Sequence, residues 1–105
     1  MADTREFFET VLPDKLLNNP GLAGTVNAVY QFDISGAGTW SVDLTSSPGA
    51  VSEGPHGSPG CVVTVDQADW ERILDAPALS MTFFTMGKLK GTQAGLVMQL
   101  QRILA

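Results

Sequence analysis

Between Thr25 and Thr45 the chain alternates apolar and polar residues with a period of two, and it does so twice. Val26, Ala28, Tyr30, Phe32 and Ile34 take every second place in the first run; Trp40, Val42 and Leu44 do so in the second. A period of two puts alternate side chains on opposite faces of an extended strand, so each run predicts a strand with one buried face. Gly36-Ala37-Gly38 between them supplies residues that take positive φ at little cost, as a tight hairpin demands. Both apolar sets are even-numbered, and a slip of one residue would turn one of them to the wrong face. The pairing must therefore set even against even. A three-residue loop over Gly36 to Gly38 does this, with Ile34 opposite Trp40, Phe32 opposite Val42 and Tyr30 opposite Leu44. A hairpin of this kind commits the chain to a sheet covered on one face.

The remaining elements follow from periodicity and breakers. Thr4 precedes Arg5-Glu6-Phe7-Phe8, and Val11 and Leu12 follow the phenylalanines at four-residue spacing. That predicts helix over residues 4–19, with Pro13 stopping or restarting a turn. Asn18-Asn19-Pro20-Gly21 ends the helical region. Ser46 to Gly60, with four glycines and three prolines, predicts turns around at most one short edge strand over 50–54. Cys61-Val62-Val63-Thr64-Val65 is β-branched and apolar on both faces, as in a covered strand. Asp66 is placed to cap a helix bearing Trp70, Ile73 and Leu74, with Asp69 and Glu71 near its positive end. Asp75-Ala76-Pro77 breaks that helix, and Leu79, Phe83 and Met86 stripe the next. Lys88-Leu89-Lys90 predicts an edge strand guarded by outward lysines. A final helix carries Leu96, Val97, Met98, Leu100, Ile103 and Leu104. The order implies one α+β domain over residues 1–105, with a mainly antiparallel sheet and helices over one face.

Composition narrows the function classes. A formal charge of −5 with only six scattered Lys and Arg residues argues against a nucleic-acid backbone as partner. One cysteine, Cys61, forms no internal disulfide, which suits a reducing compartment. The N-terminus lacks a basic region followed by an apolar run, no segment nears the ~20 apolar residues that span a bilayer, and Ile103-Leu104-Ala105 is not a Ser-Lys-Leu type of address. The expected location is the cytoplasm. His56 is the lone histidine, in the Gly/Pro-rich stretch, without the partners a metal or a catalytic role needs. Cys61 has no base beside it. Asp66 and Asp69 are explained by capping, and Asp33 and Asp43 lie diagonally on the polar hairpin face. Gly87-Lys88-Leu89 lacks the upstream glycine and the Ser/Thr of a phosphate loop. Lys88 and Lys90 fit edge protection and transient contact with an anionic membrane surface equally well. No enzyme, metal or cofactor is expected.

What stands out is apolar. Met81, Phe83, Phe84, Met86 and Met98 crowd the last quarter of the chain, and Met with aromatic side chains suits adaptable contacts. Gly91 and Gly95 flank the start of the last helix. On the residues alone this grease serves either core or ligand cavity.

Three segments in order resemble the sterol carrier protein 2 (SCP-2) family. Val26-Asn27-Ala28-Val29-Tyr30-Gln31-Phe32-Asp33-Ile34 with Gly38-Thr39-Trp40-Ser41-Val42-Asp43-Leu44 is similar to the family's opening hairpin. Val63-Thr64-Val65-Asp66 with Asp69-Trp70 resembles its strand-to-helix junction. Phe83-Phe84-Thr85-Met86-Gly87-Lys88-Leu89-Lys90-Gly91 matches its Gly-Lys-apolar-Lys-x-Gly signature ahead of the last helix. The resemblance runs from about Phe7 to Leu104 and is to a stand-alone, prokaryote-like member. It implies a five-stranded, mainly antiparallel sheet with helices enclosing an apolar tunnel. The implied activity is non-enzymatic binding and transfer or presentation of fatty acid, fatty acyl-CoA, phospholipid or sterol-like lipid. Carried onto this chain, the tunnel wall comprises Phe32, Trp40, Trp70, Met81, Phe83, Phe84, Met86, Leu89, Val97, Leu100 and Leu104. The peroxisomal tail of eukaryotic members is absent, and the glycine- and proline-rich Ser46 to Gly60 implies a short third strand and a more open cavity. A dimerising or protein-interaction module built on the apolar C-terminal face is the alternative.

Overall fold

The computed structural model describes residues 3–104; Met1, Ala2 and Ala105, the outermost residues of the expected 1–105 domain, lie outside the described residues. In chain order the elements are α1 (Thr4–Glu6), a π-helical turn (Phe7–Val11), α2 (Leu12–Asn18), α3 (Gly21–Val26), β1 (Val29–Ser35) and β2 (Gly38–Asp43). There follow β3 (Ala50–Glu53), β4 (Cys61–Asp66), α4 (Gln67–Asp75), α5 (Leu79–Met86), β5 (Leu89–Gly91) and α6 (Ala94–Leu104). The strands make one five-stranded sheet in the order β3-β2-β1-β4-β5. The β1–β4 pairing is parallel and the others are antiparallel, so the fold is α+β with a mixed, mainly antiparallel sheet.

Parallel neighbours need a crossover, and the Gly/Pro-rich segment after β3 provides it along the sheet's outer face. The Gly54 N–H donates to the Thr39 carbonyl at 2.8 Å and the Ser41 hydroxyl to the Gly54 carbonyl at 2.6 Å. Further on, the His56 N–H donates to Gln31 Oε1 at 3.2 Å and the Gly60 N–H to the Val29 carbonyl at 2.9 Å. The chain thus passes from β2 across β1 to begin β4. Small residues let its backbone lie close to the strands: a Cβ on Gly60 would stand 3.3 Å from the Val29 carbonyl oxygen. His56 is half-buried against this face. Its Nδ1 accepts from the Ser58 N–H at 2.9 Å, and its Nε2 lies 3.9 Å from Asp43.

Local chemistry moved several boundaries. The first strand starts at Val29, not residue 25, because Gly21–Val26 forms α3 and Asn27 reverses the chain in the left-handed region at φ 48°. The hairpin keeps even against even but is shifted by two residues: Phe32 faces Trp40 and Tyr30 faces Val42. The turn runs through Ser35, Gly36 and Ala37, closed by the Ala37 N–H on the Ile34 carbonyl at 3.0 Å, with Gly36 at φ 94°. That shift separates Asp33 from Asp43. Asp33 accepts from Gln31 and Thr39, and Asp43 accepts from the Thr45 N–H and hydroxyl. Asp66 holds the N-cap position of α4, but its side chain makes no capping bond. Pro13 stands in the first turn of α2, where its missing N–H costs little, as expected of a proline that restarts a helix. The π-helical turn ahead of it, with the Leu12 N–H reaching back to Phe7, carries the helix through.

The helices cover the inner face of the sheet. Tyr30, Phe32 and Ile34 of β1, Trp40 and Val42 of β2, Cys61, Val63 and Val65 of β4 and Leu89 of β5 all point inward and are buried. Phe7, Phe8, Leu12, Leu16, Trp70, Ile73, Phe83, Val97, Leu100 and Ile103 pack onto them from the helical side.

Helix and sheet approach closely at Gly91, where a Cβ would collide with Val97 Cγ2 of α6 and sit 3.6 Å from Cys61 Sγ. Val97 is β-branched and stiff at χ1, so it cannot turn away. Gly91→Ala should therefore destabilise the fold by about 1–3 kcal/mol, read as a lower urea midpoint. Combined with Val97→Ala, the two costs should fall short of additive by more than measurement error; strict additivity would show that the two elements do not meet here.

Candidate functional site

The space between sheet and helices is filled at one end by aromatic rings. Phe8, on the π-helical turn, stacks on Trp40 of β2 at a centroid distance of 4.8 Å and 8° between planes. It stacks also on Trp70 of α4, at 5.8 Å and 5°. Phe32 leans on Phe8 at 5.3 Å and on Trp70 at 5.3 Å, Tyr30 stacks on Phe32 at 5.7 Å, and Phe7 meets Phe8 and Trp70 edge-on. Such pairs add to simple area burial because ring edges and faces carry opposite partial charge. The indole Nε1 atoms of both Trp40 and Trp70 are buried without a hydrogen-bond partner among the described residues, as are Ser80 Oγ and Gln99 Oε1.

Polar contacts fasten the N-terminal segment over these rings. The Thr4 N–H and hydroxyl both donate to Glu71 Oε2 of α4, at 3.1 and 2.9 Å. Arg5 pairs with Glu9 at 2.6 Å and Glu53 at 3.2 Å, and its guanidinium lies 5.7 Å from the centroid of the Trp40 ring. A depression of about 510 Å³ opens beside them between the π-helical turn and β3, and its lining includes Phe8, Pro13, Trp40 and Val51. At the other end of the compartment Arg72 and Lys88 each approach the Phe83 ring to 5.3 Å.

The structure gathers most of the residues named from the sequence. Phe32, Trp40, Trp70, Phe83, Leu89, Val97 and Leu100 belong to one continuous buried cluster, with Phe84 and Leu104 half-buried against it. Met81 is half-buried outside that cluster, and Met86 lies at the surface, 58% exposed at the end of α5. Sequence reasoning did not assign Phe7, Phe8, Leu12 and Leu16 to the compartment. Their signal was the four-residue spacing from Phe7-Phe8 to Val11-Leu12, which marks a buried helical face without naming its neighbours. Cys61 is buried on β4, its Sγ 3.8 Å from the Gln93 carbonyl oxygen. Among the described residues no group of three His, Cys, Asp or Glu could hold a metal, and no helix is long and apolar enough to cross a membrane.

Residues 8–105 match the model of the SCP-2 sterol transfer family. The chain belongs to that family. Binding and transfer of lipid-like ligands, generally without chemical turnover, is the family's common activity. The fold is similar to apo sterol carrier protein 2 from Yarrowia lipolytica, with TM-score 0.74 and 20% identity over 95% of this chain and 82% of that one. It is similar also to sterol carrier protein domain 2 of Helicoverpa armigera, with TM-score 0.74 and 21% identity over 96% and 91%. Palmitated SCP2L2 from Aedes aegypti gives TM-score 0.62 and 22% identity over 91% and 93%. No curated protein matches the sequence significantly.

In this SCP-2 domain Tyr30 ties the sheet to α6. Its hydroxyl donates to the Leu96 carbonyl at 2.6 Å. Burial pushes the phenol well above its ordinary pKa of 10.0, and the neighbouring Cys61 adds to the shift. The unfolded chain therefore loses this proton at lower pH than the folded one, and stability falls as pH rises past about 10. Tyr30 is the sole tyrosine, so absorbance reads it directly: no phenolate should form in the folded protein until it unfolds. Tyr30→Phe should cost about 1 kcal/mol at neutral pH, because it removes the hydrogen bond that ties β1 to α6, and should abolish the alkaline slope attributable to this group.

Proposed function

We propose that this chain is a non-enzymatic carrier of long-chain lipids, one domain spanning residues 1–105 and working in the cytoplasm. It holds fatty acid, fatty acyl-CoA, phospholipid or sterol-like molecules against the helix-facing side of the sheet. The observation that carries this reading is the continuous apolar compartment from Phe8, Trp40 and Trp70 to Phe83, Leu89, Val97 and Leu100. Membership of the SCP-2 family supports it, as does the likeness in fold to a relative solved with palmitate attached. Phe32, Trp40, Trp70, Met81, Phe83, Phe84, Leu89, Val97, Leu100 and Leu104 are the proposed wall, with Met86 at its outer margin.

Apolar burial is sufficient as a driving force. At about 0.8 kcal/mol per buried CH₂, roughly ten methylenes supply the ~8 kcal/mol of a micromolar complex, and the rest of a long chain offsets the cost of ordering it. Lys88 and Lys90, both exposed on or beside β5, suit transient contact with anionic head groups during delivery. A second reading, a face that pairs with another copy or protein, rests on Met98 of α6 and Met86 of α5, 62% and 58% exposed. Sedimentation over a range of concentrations separates it from a monomeric carrier.

Native mass spectrometry after incubation with palmitate should show one bound molecule per chain. Palmitate at a hundredfold excess over its Kd should raise the unfolding free energy by about 2.7 kcal/mol. A chain that takes up no palmitate, carries no lipid on organic extraction and melts unchanged would not be a carrier.

A further inference from the structure

The sheet ends on β3, which has a neighbouring strand on one side only. Antiparallel partners alternate between pairs that exchange backbone hydrogen bonds and pairs that do not. The register sets Ser41 opposite Ser52 and Val42 opposite Val51, and the bond from the Gly54 N–H to the Thr39 carbonyl fixes the phase of the alternation. Ala50, Ser52 and Gly54 therefore turn their backbone groups towards β2. Val51 and Glu53 turn theirs outward, and no turn, loop or side chain among the described residues bonds to the backbone of either.

The side chains of Val51 and Glu53 stand on the same face of the sheet as Val42 and Trp40, the residues they oppose. On that face lies the depression of about 510 Å³, with Phe8, Pro13, Trp40 and Val51 as its apolar lining and Glu9 and Glu53 as its acids. Arg5 meets both acids, which leaves the rim with a net negative charge. The opposite edge of the sheet is guarded, because Lys88 and Lys90 flank Leu89 of β5. Ala50-Val51-Ser52-Glu53 contains neither lysine nor proline.

We propose that the β3 edge binds an extended segment of a partner protein as an added antiparallel strand, with a basic side chain opposite Glu53 and an apolar one two residues later opposite Val51. The outward N–H and C=O groups of Val51 and Glu53 supply the main-chain bonds, and the depression beside them selects the side chains. Residues directly opposite each other share a face, so the apolar side chain falls over the Phe8, Pro13 and Trp40 lining and the basic one meets Glu53. Neither edge strand of this chain has a basic residue two places before an apolar one, so a second copy does not meet the same terms. The proposal concerns the edge of the sheet and is independent of what the compartment carries.

A fluorescein-labelled, amidated heptapeptide, Thr-Thr-Lys-Thr-Leu-Thr-Thr, is titrated with the full chain and read by anisotropy. In the proposed register the peptide's Lys and Leu N–H groups donate to the Glu53 and Val51 carbonyls, whereas the N–H of the central Thr points to solvent. N-methylation of the Leu should weaken binding by about tenfold, and N-methylation of the central Thr should change it by less than about twofold. Glu53→Lys should weaken binding by about fivefold, and exchanging the peptide's Lys for Glu should restore it. Val51→Pro removes an outward N–H, leaves the bonds to β2 in place and should abolish binding; if that variant does not fold, the N-methyl pair and Glu53→Lys decide the matter. No binding at millimolar peptide, or equal losses from the two N-methyl groups, would overturn the edge site. Binding indifferent to Glu53→Lys and to the peptide's charge would overturn the basic class of partner. Self-association of the chain alone, seen by sedimentation and abolished by Val51→Pro, would give the edge to a second copy and overturn the proposal.

Discussion

Tyr30, Phe32 and Ile34 leave one face of β1 and are buried; Gln31 and Asp33 leave the other, where hydrogen bonds and the crossing chain satisfy them. This two-sidedness of the central strand governs the rest of the molecule. Each neighbour must present its apolar set on the same side, and each does so by a different register. β2 meets β1 even against even, whereas β4 meets it even against odd, so that Cys61, Val63 and Val65 align with Tyr30, Phe32 and Ile34. With the helices confined to the apolar side, the chain can travel from β3 to β4 only over the polar side. That route demands a segment thin enough to lie on strands and polar enough to bond with them, which is what Gly54 to Gly60 supplies.

The same logic explains which parts of the structure were legible in the sequence. Alternation fixed the parity of the hairpin because one wrong step would expose Phe32 or Trp40. It could not fix the register to better than two residues, since Ser35-Gly36-Ala37 and Gly36-Ala37-Gly38 both close a turn of the right parity. The strand boundary at Val29 was hidden because Leu22, Ala23 and Val26 fit a helical spacing while Val26 and Ala28 also continue the alternation. Only Asn27 in the left-handed region decides between them. The C-terminal signature Gly87 to Gly91 was readable, and its last glycine has a packing reason in Val97. Phe8 escaped notice because helical spacing says that a ring is buried but not what it is buried against. Trp40 and Trp70 lie far away in sequence, and their meeting at one ring is a product of topology.

A lipid carrier built this way faces a constraint that an ordinary core does not. An apolar void left by departed cargo costs about 24 cal/mol per Å³, so roughly 300 Å³ of emptiness would cost about 7 kcal/mol, comparable to the whole stability of a small domain. In this chain Phe7, Phe8, Phe32, Trp40 and Trp70 fill the end of the compartment nearest the N-terminal helix. On the proposed carrier function, uptake would exchange internal contacts for contacts with cargo, and the net affinity would be the difference between the two sums. A carrier benefits when that difference is small, because what is held only a little better than the protein's own rings can also be released. β2 and α4 hold the two indoles in regular structure, whereas Phe8 rides on a π-helical turn whose outer contacts are side-chain pairs at the surface.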